Sequence, residues 1–296
     1  MRSFLSFLAS IGITLLIAAF AAYPLYLIIH PLVGSWTFDK IATRLWQLLM
    51  LLAVWALIRQ LKLARKRDFG YDVASTRWRR LCVQGFAAGA LSMLPITISM
   101  LALGVRTLRP EVDFWHVASA LCSGVLSGFA VGFLEETFFR GVVLGAVLRE
   151  MRRPILAITL VSILYASVHF LASTHIPPNS VTWHSGLDLL SGALRNFISP
   201  TSIIDAWLAL LAVGVLLGMS AFFTGNIAIG VGLHAGWVTV MRATIGITDL
   251  NAHSPSAWLV NQSNGYVGWM VFGWTAVLIT TLILVRRRLR NLRRDY

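Results

Sequence analysis

Gly132-Phe133-Leu134-Glu135-Glu136-Thr137-Phe138-Phe139-Arg140-Gly141 lies inside an apolar run that extends from about residue 117 to 147. Two acids and a base in such a run decide how the whole chain is read. On insertion scales each costs about 2.5–3.5 kcal/mol at the centre of a membrane helix, against a few tenths returned by a Leu or Phe. Such side chains face a bundle interior or a wet cavity, and their default reading is functional. The rest of the chain makes the contrast sharper. Of 296 residues 57% are hydrophobic and 12% charged, where soluble domains carry roughly 25% charge. With a mean hydropathy of +0.74, a water-soluble globule would expose large apolar patches, and disorder would need the opposite bias. The chain belongs in lipid.

Working outward, apolar runs of spanning length occur at about 4–29, 42–61, 81–104, 117–147, 155–173, 203–224, 227–246 and 267–285. This predicts an all-α polytopic protein of about eight transmembrane helices, a single integral membrane domain over 1–296. The first run has Ala19-Phe20-Ala21 like a signal-peptide site, but only Arg2 precedes it and the apolar stretch continues to Ile29, so a retained helix is expected. The net charge of +13 would suggest nucleic acid on a soluble surface. Its distribution says otherwise. With both termini cytoplasmic, the inner segments hold 18 Lys and Arg, including the clusters at 59–67, 77–80, 149–153 and 286–294, and the outer segments hold six. That asymmetry follows the positive-inside rule, and the clusters also suit anionic lipid. Cys82 and Cys122 both lie in apolar runs, which excludes a disulfide scaffold or a CxxC knuckle. Between the fifth and sixth runs, Pro177-Pro178 breaks the helix, and Leu187, Leu190, Leu194 and Phe197 recur opposite Asp188, Ser191, Arg195 and Asn196. An interfacial helix near 186–199 is expected, with an outer loop at 248–266.

Spacing separates the two glutamates. Glu136 and Arg140 stand i, i+4 and share a helix face, so they can pair and lower the cost of burying both. Glu135 is turned about 100° away and has no Arg of its own. A carboxyl group among apolar neighbours suits general acid or base work. Gly124, Gly128 and Gly132 continue the line through Glu136 to Arg140, a small-residue stripe that invites a close helix neighbour, as do Gly85/Gly89 and Gly214/Gly218. Two histidines lie inside later runs, His169 in Tyr165-Ala166-Ser167-Val168-His169 and His234 in Gly232-Leu233-His234. At about 1.5 Å per residue, Glu135 is about 20 Å from Arg149, His169 about 22 Å from Pro154 and His234 about 12 Å from Asn226. All can converge near mid-membrane. His30, His116, His175, His184 and His253 fall at run ends or in outer loops and read as anchors or solvated residues.

Glu135-Glu136-x-x-x-Arg140, an aromatic at Tyr165 four residues before His169, and His234, in three successive apolar helices, resemble the CPBP family: CAAX proteases and bacteriocin-processing or immunity proteins, called Abi proteins in bacteria. The similarity covers a core at 117–247. The resemblance implies an intramembrane endopeptidase, with a bacterial inner membrane location and a peptide or protein substrate that can be lipidated or membrane-bound. It implies that Glu135 and His169 polarise a water, that Glu136 and Arg140 order the site, and that His234 faces the oxyanion. It implies no bound cofactor, with Zn²⁺ at Glu135, Glu136, His169 and His234 as the alternative. Two positions depart from the pattern. Val238 stands where the family has Asn or Asp, with Asn226 as the substitute to consider, and Tyr165 replaces the usual Phe. Val238 favours an alternative of another class, a non-catalytic interaction or immunity protein of the same fold. A proton-coupled transporter would use the same carboxylates, but the chain lacks the two-half repeat of many transporters.

Overall fold

The computed structural model describes residues 2–34, 36–63, 65–171, 176–198, 200–262 and 265–292. His175, Arg293 and Arg294 lie outside the described residues. The chain forms two units: Met1–Ala64, Ala146–Arg152 and Ser167–Ser202 in the first, and Arg65–Gly145, Arg153–Ala166 and Ile203–Tyr296 in the second.

The first unit is built on α1 (Arg2–Ile29) and α2 (Phe38–Gln60). Phe7, Ile11, Thr14, Ala18 and Ala22 are buried at three- and four-residue steps along α1, the period of one helix face. In lipid, apolar area alone gives little drive for helix association, so small residues and interhelical hydrogen bonds matter more. Both occur here: Trp46 Nε1 donates to Thr14 Oγ1 at 3.2 Å. At the start of α1, the Ser3 backbone N–H and hydroxyl both donate to the Glu150 carboxylate.

The expected interfacial helix is α7 (Ser185–Ile198), and the line that faces the protein is distinct from the leucine line. Ser185, Gly186, Leu189 and Ala193 are buried, whereas Leu194, Phe197 and Ile198 are exposed. The cause is close approach to α1, since a Cβ on Gly186 would stand 1.8 Å from the Ala19 carbonyl oxygen. Small residues admit the neighbour, and the larger apolar side chains are left on the outer surface.

In the second unit, α3 (Ser75–Ala102) and α4 (Phe114–Glu135) enclose α9 (Ala228–Ile247). The glycine stripes do what their spacing predicts. A Cβ on Gly124, Gly128 or Gly132 would come within 2.8, 2.5 and 3.0 Å of carbonyl oxygens of α9, and Gly85 and Gly89 of α3 meet its other side at 2.4 Å. Likewise α8 (Ile204–Thr224) meets α6 (Pro154–Val168) through Gly214 and Gly218, against Ser162 and Ile158. α10 (Trp269–Leu292) packs on α8.

Among the described residues, six helices are long and apolar enough to cross a membrane. The two other expected spans have physical reasons to fall short. α6 has only 15 residues, and α9 carries His234, which its neighbours bury, and Arg242, which is exposed.

The run at 117–147 is not one uniform helix. α4 ends at Glu135, and Glu136–Leu144 is π-helical before α5 (Gly145–Met151) begins. π-helical turns inside α-helices are frequent at functional sites. This one starts at the second glutamate and includes Arg140.

The outer loop also has more order than expected. Strands Arg106–Leu108 and Thr248–Leu250 pair antiparallel. Arg106, read as an outer-surface charge, is buried, and its guanidinium donates to Thr248 Oγ1 and to the carbonyls of Thr248 and Gly265. Burial pushes its pKa down from the usual guanidinium value, with Asp249 opposing.

Candidate active site

The π-helical turn brings Glu136 and Arg140 together inside the second unit. Arg140 Nη1 donates to Glu136 Oε1 at 3.0 Å, with both side chains almost fully buried. Arg140 Nη2 donates to the Gly214 carbonyl of α8 at 3.3 Å. Its guanidinium lies 4.4 Å from the centroid of the Tyr165 ring, in range of cation–π attraction.

His234, on the second turn of α9, completes the pair from the opposite side. Its Nδ1 lies 3.1 Å from Glu136 Oε1. An ionised carboxylate only accepts, so Nδ1 carries the hydrogen and Nε2 is left for other work. Nε2 points at Glu135, 3.8 Å from Oε2. One imidazole therefore addresses both glutamates, a juxtaposition that their 100° offset on an ideal helix does not suggest.

The two carboxylates differ in access. The Glu136 side chain is fully enclosed, and a quarter of the Glu135 side chain, 25%, is exposed. Glu136 Oε2 has no hydrogen-bond partner among the described residues. It packs against Gly230 of α9, where a Cβ would stand 2.9 Å away. Glu136 is thus held by an arginine, a histidine and a glycine surface, and Glu135 is the more exposed of the two side chains, with the Oε2 that faces His234 itself buried.

Tyr165 is the residue whose role the sequence understated. It is 2% exposed on α6, and its ring stands edge-on to Phe139 at 5.1 Å and to His234 at 6.5 Å. The available signal was the Tyr in place of Phe at the aromatic position of the second motif.

His169 belongs to the first unit. The expected span at 155–173 ends earlier, because α6 stops at Val168 and the chain continues in i→i+3 bonded turns, Phe170 N–H to Ser167 and Leu171 N–H to Val168. His169 is exposed in that turn. Asn226 is not an oxyanion donor to this site. Its amide donates to the Thr224 carbonyl at 3.1 Å and its Oδ1 accepts from the Ala228 N–H at 3.0 Å, so it caps α9. Tyr71, in the loop before α3, bonds Thr137 at 2.5 Å and leans on Phe133. Burial pushes its phenol pKa up, partly offset by that bond.

For zinc, the donor set is poorly disposed. Among the described residues no three His, Cys, Asp or Glu side chains are grouped to hold one cation. Glu136 Oε1 is already engaged by Arg140 and His234, where a catalytic zinc takes three protein ligands.

Comparison with known proteins gives one match. Residues 115–240 match the family model of Rce1-like type II CAAX prenyl endopeptidases. The match spans less than half of the 296 residues and contains Glu135, Glu136, Arg140, Tyr165, His169 and His234. No curated protein and no solved structure matches the chain.

Proposed function

We propose that this integral membrane protein, with an Rce1-like domain at residues 115–240, is an intramembrane endopeptidase that hydrolyses a peptide bond with a water activated by Glu135. One observation carries the reading: of two adjacent glutamates, Glu136 is enclosed and bound by Arg140 and His234, and Glu135 stays partly accessible beside His234 Nε2. Glu135 accepts a proton from the water as its oxygen attacks the carbonyl carbon, and returns it to the leaving amine as the C–N bond breaks. His234, aimed by Glu136 through Nδ1, presents Nε2 towards the developing oxyanion and donates to it when protonated. Arg140 holds Glu136 in place. No step passes through a metal.

The substrate is a peptide that reaches the bundle from the membrane, and a lipidated C-terminus fits the Rce1-like domain. The location proposed is the bacterial inner membrane. The test uses purified protein in liposomes with prenylated and unprenylated peptide libraries, and identifies products by mass spectrometry. Wild type should release defined fragments and Glu135→Gln should not; equal cleavage by both sinks the mechanism.

Val238 supports a second reading. Valine offers no hydrogen bond where the family has Asn or Asp, as expected of a non-catalytic immunity or interaction protein that keeps the old site for its fold. In that case Glu135→Gln leaves the cellular phenotype intact, and changes on the outer surface of the bundle abolish it.

A further inference from the structure

The loop that leads into α3 touches both elements that carry the site. It consists of a 3₁₀ turn, Lys66–Phe69, followed by Gly70 and Tyr71. One set of contacts reaches the π-helical turn. The Tyr71 hydroxyl bonds Thr137 Oγ1 at 2.5 Å, on the residue next to Glu136, and Thr137 Oγ1 donates in turn to the Phe133 carbonyl at 2.6 Å. Thr137 has a single hydroxyl hydrogen, so Tyr71 is the donor between the two. The loop backbone also lies on Gly141, where a Cβ would stand 2.6 Å from the Phe69 carbonyl oxygen. A second set reaches α9. The Gly70 carbonyl accepts the Ile227 backbone N–H at 3.1 Å, one of the donors that a helix start leaves without an internal partner. Gly70 has a φ of 74°, and a Cβ there would meet Ile227 Cγ2 at 2.7 Å, so conformation and close approach both require glycine. Ile227 is the N-cap of α9, and His234 follows about two turns later. π-helical bonding is rare and occurs mostly as single turns inside α-helices. Glu136–Leu144 keeps it over nine residues, so the groups packed on this stretch have to favour it over an α-helix.

We propose that loop 66–71 braces the site and that Tyr71 is its positioning residue: through Thr137, the Tyr71 hydroxyl holds the π-helical turn in the register that sets Glu136 Oε1 on His234 Nδ1, 3.1 Å apart. The catalytic consequence rests on the peptidase reading. Tyr71→Phe removes the hydroxyl and keeps the ring beside Phe133 and Trp78, and two readouts are taken on full-length protein in liposomes. With ¹⁵N-labelled histidine, the solid-state NMR signal of His234 Nδ1, assigned by its loss in His234→Gln, should shift in Tyr71→Phe. In hydrolysis, kcat should fall about fivefold with KM changed by less than about twofold, the scale of one neutral hydrogen bond. In a Thr137→Val background, which already lacks the acceptor, Tyr71→Phe should have no further effect on kcat. A tyrosine that only stabilised the loop would lower the melting temperature in either background and leave the His234 signal in place. An unmoved His234 signal overturns the proposal, as does an unchanged kcat in an active enzyme or an equal fall in the Thr137→Val background. If wild type cleaves no peptide while the signal still shifts, the brace stands and only the peptidase reading falls.

Discussion

Replacing Glu136 with leucine tests the ion pair on which the site is built. The substitution removes the acceptor of Arg140 Nη1 at 3.0 Å and of His234 Nδ1 at 3.1 Å, and leaves a guanidinium that is 4% exposed without its counter-charge. Removing one partner of a buried pair costs about 3–5 kcal/mol. Arg140 keeps the Gly214 carbonyl at 3.3 Å and the Tyr165 ring, and a desolvated cation–π contact is worth about 2 kcal/mol. The expected loss therefore sits at the lower end, about 3 kcal/mol, a large part of the roughly 5–15 kcal/mol typical of a folded protein. The double variant Glu136→Leu/Arg140→Met removes both charges and should recover most of that loss, because apolar replacement of a whole buried pair is often neutral. Activity should not return with stability, since His234 loses the group that aims it. Equilibrium unfolding in mixed micelles, with peptide cleavage measured alongside, reads both. A cost under about 1 kcal/mol for the single variant, or a double variant less stable than the single, would refute the buried-pair argument.

Two further outcomes follow from the geometry. Extended chelation with 1,10-phenanthroline, followed by dialysis, should leave cleavage unchanged, and added Zn²⁺ should not increase it; loss on chelation with recovery on Zn²⁺ would restore the metal alternative. At the N-terminus of α4, Asp113 accepts the His116 backbone N–H at 2.9 Å and its ring nitrogen at 2.7 Å, which holds its carboxyl below the usual carboxylate range. A folded pKa below the unfolded one stabilises above the unfolded value, roughly pH 4, and that contribution fades as pH falls through the lowered folded value. Asp113→Ala should therefore melt below wild type at neutral pH and converge with it in acid; a gap that persists in acid contradicts the assignment.

What was legible in the sequence is what depends on local spacing. Glu136 and Arg140 pair because i, i+4 neighbours meet on a helix, and the Gly124/Gly128/Gly132 stripe packs on α9 because only small residues admit a backbone so close. Long-range choices were not readable. His234 was expected to face the oxyanion, but nothing in 98 residues of separation shows that its Nδ1 would take Glu136. The π-helical turn has no compositional mark, since Thr137, Phe138 and Phe139 suit an α-helix equally. The helix at 185–198 was legible from its leucine spacing, whereas the face that approaches α1 is selected by Gly186 and Ala193, which that spacing does not show. Arg106 looked like a solvated charge, and only the tertiary fold supplies the three acceptors that bury it. Tyr165 was visible as a departure from the motif, but its contacts with Arg140 and His234 depend on the tertiary fold.

The most direct test of the central claim is the single-turnover rate at which liposome-embedded protein cleaves its best peptide, compared between wild type and a Glu135→Gln variant shown to melt at the same temperature. Loss of a general base should slow cleavage by about 10²–10⁴-fold. Cleavage by Glu135→Gln at the wild-type rate would contradict the account, because among the described residues Glu135 is the partly exposed carboxylate side chain beside His234.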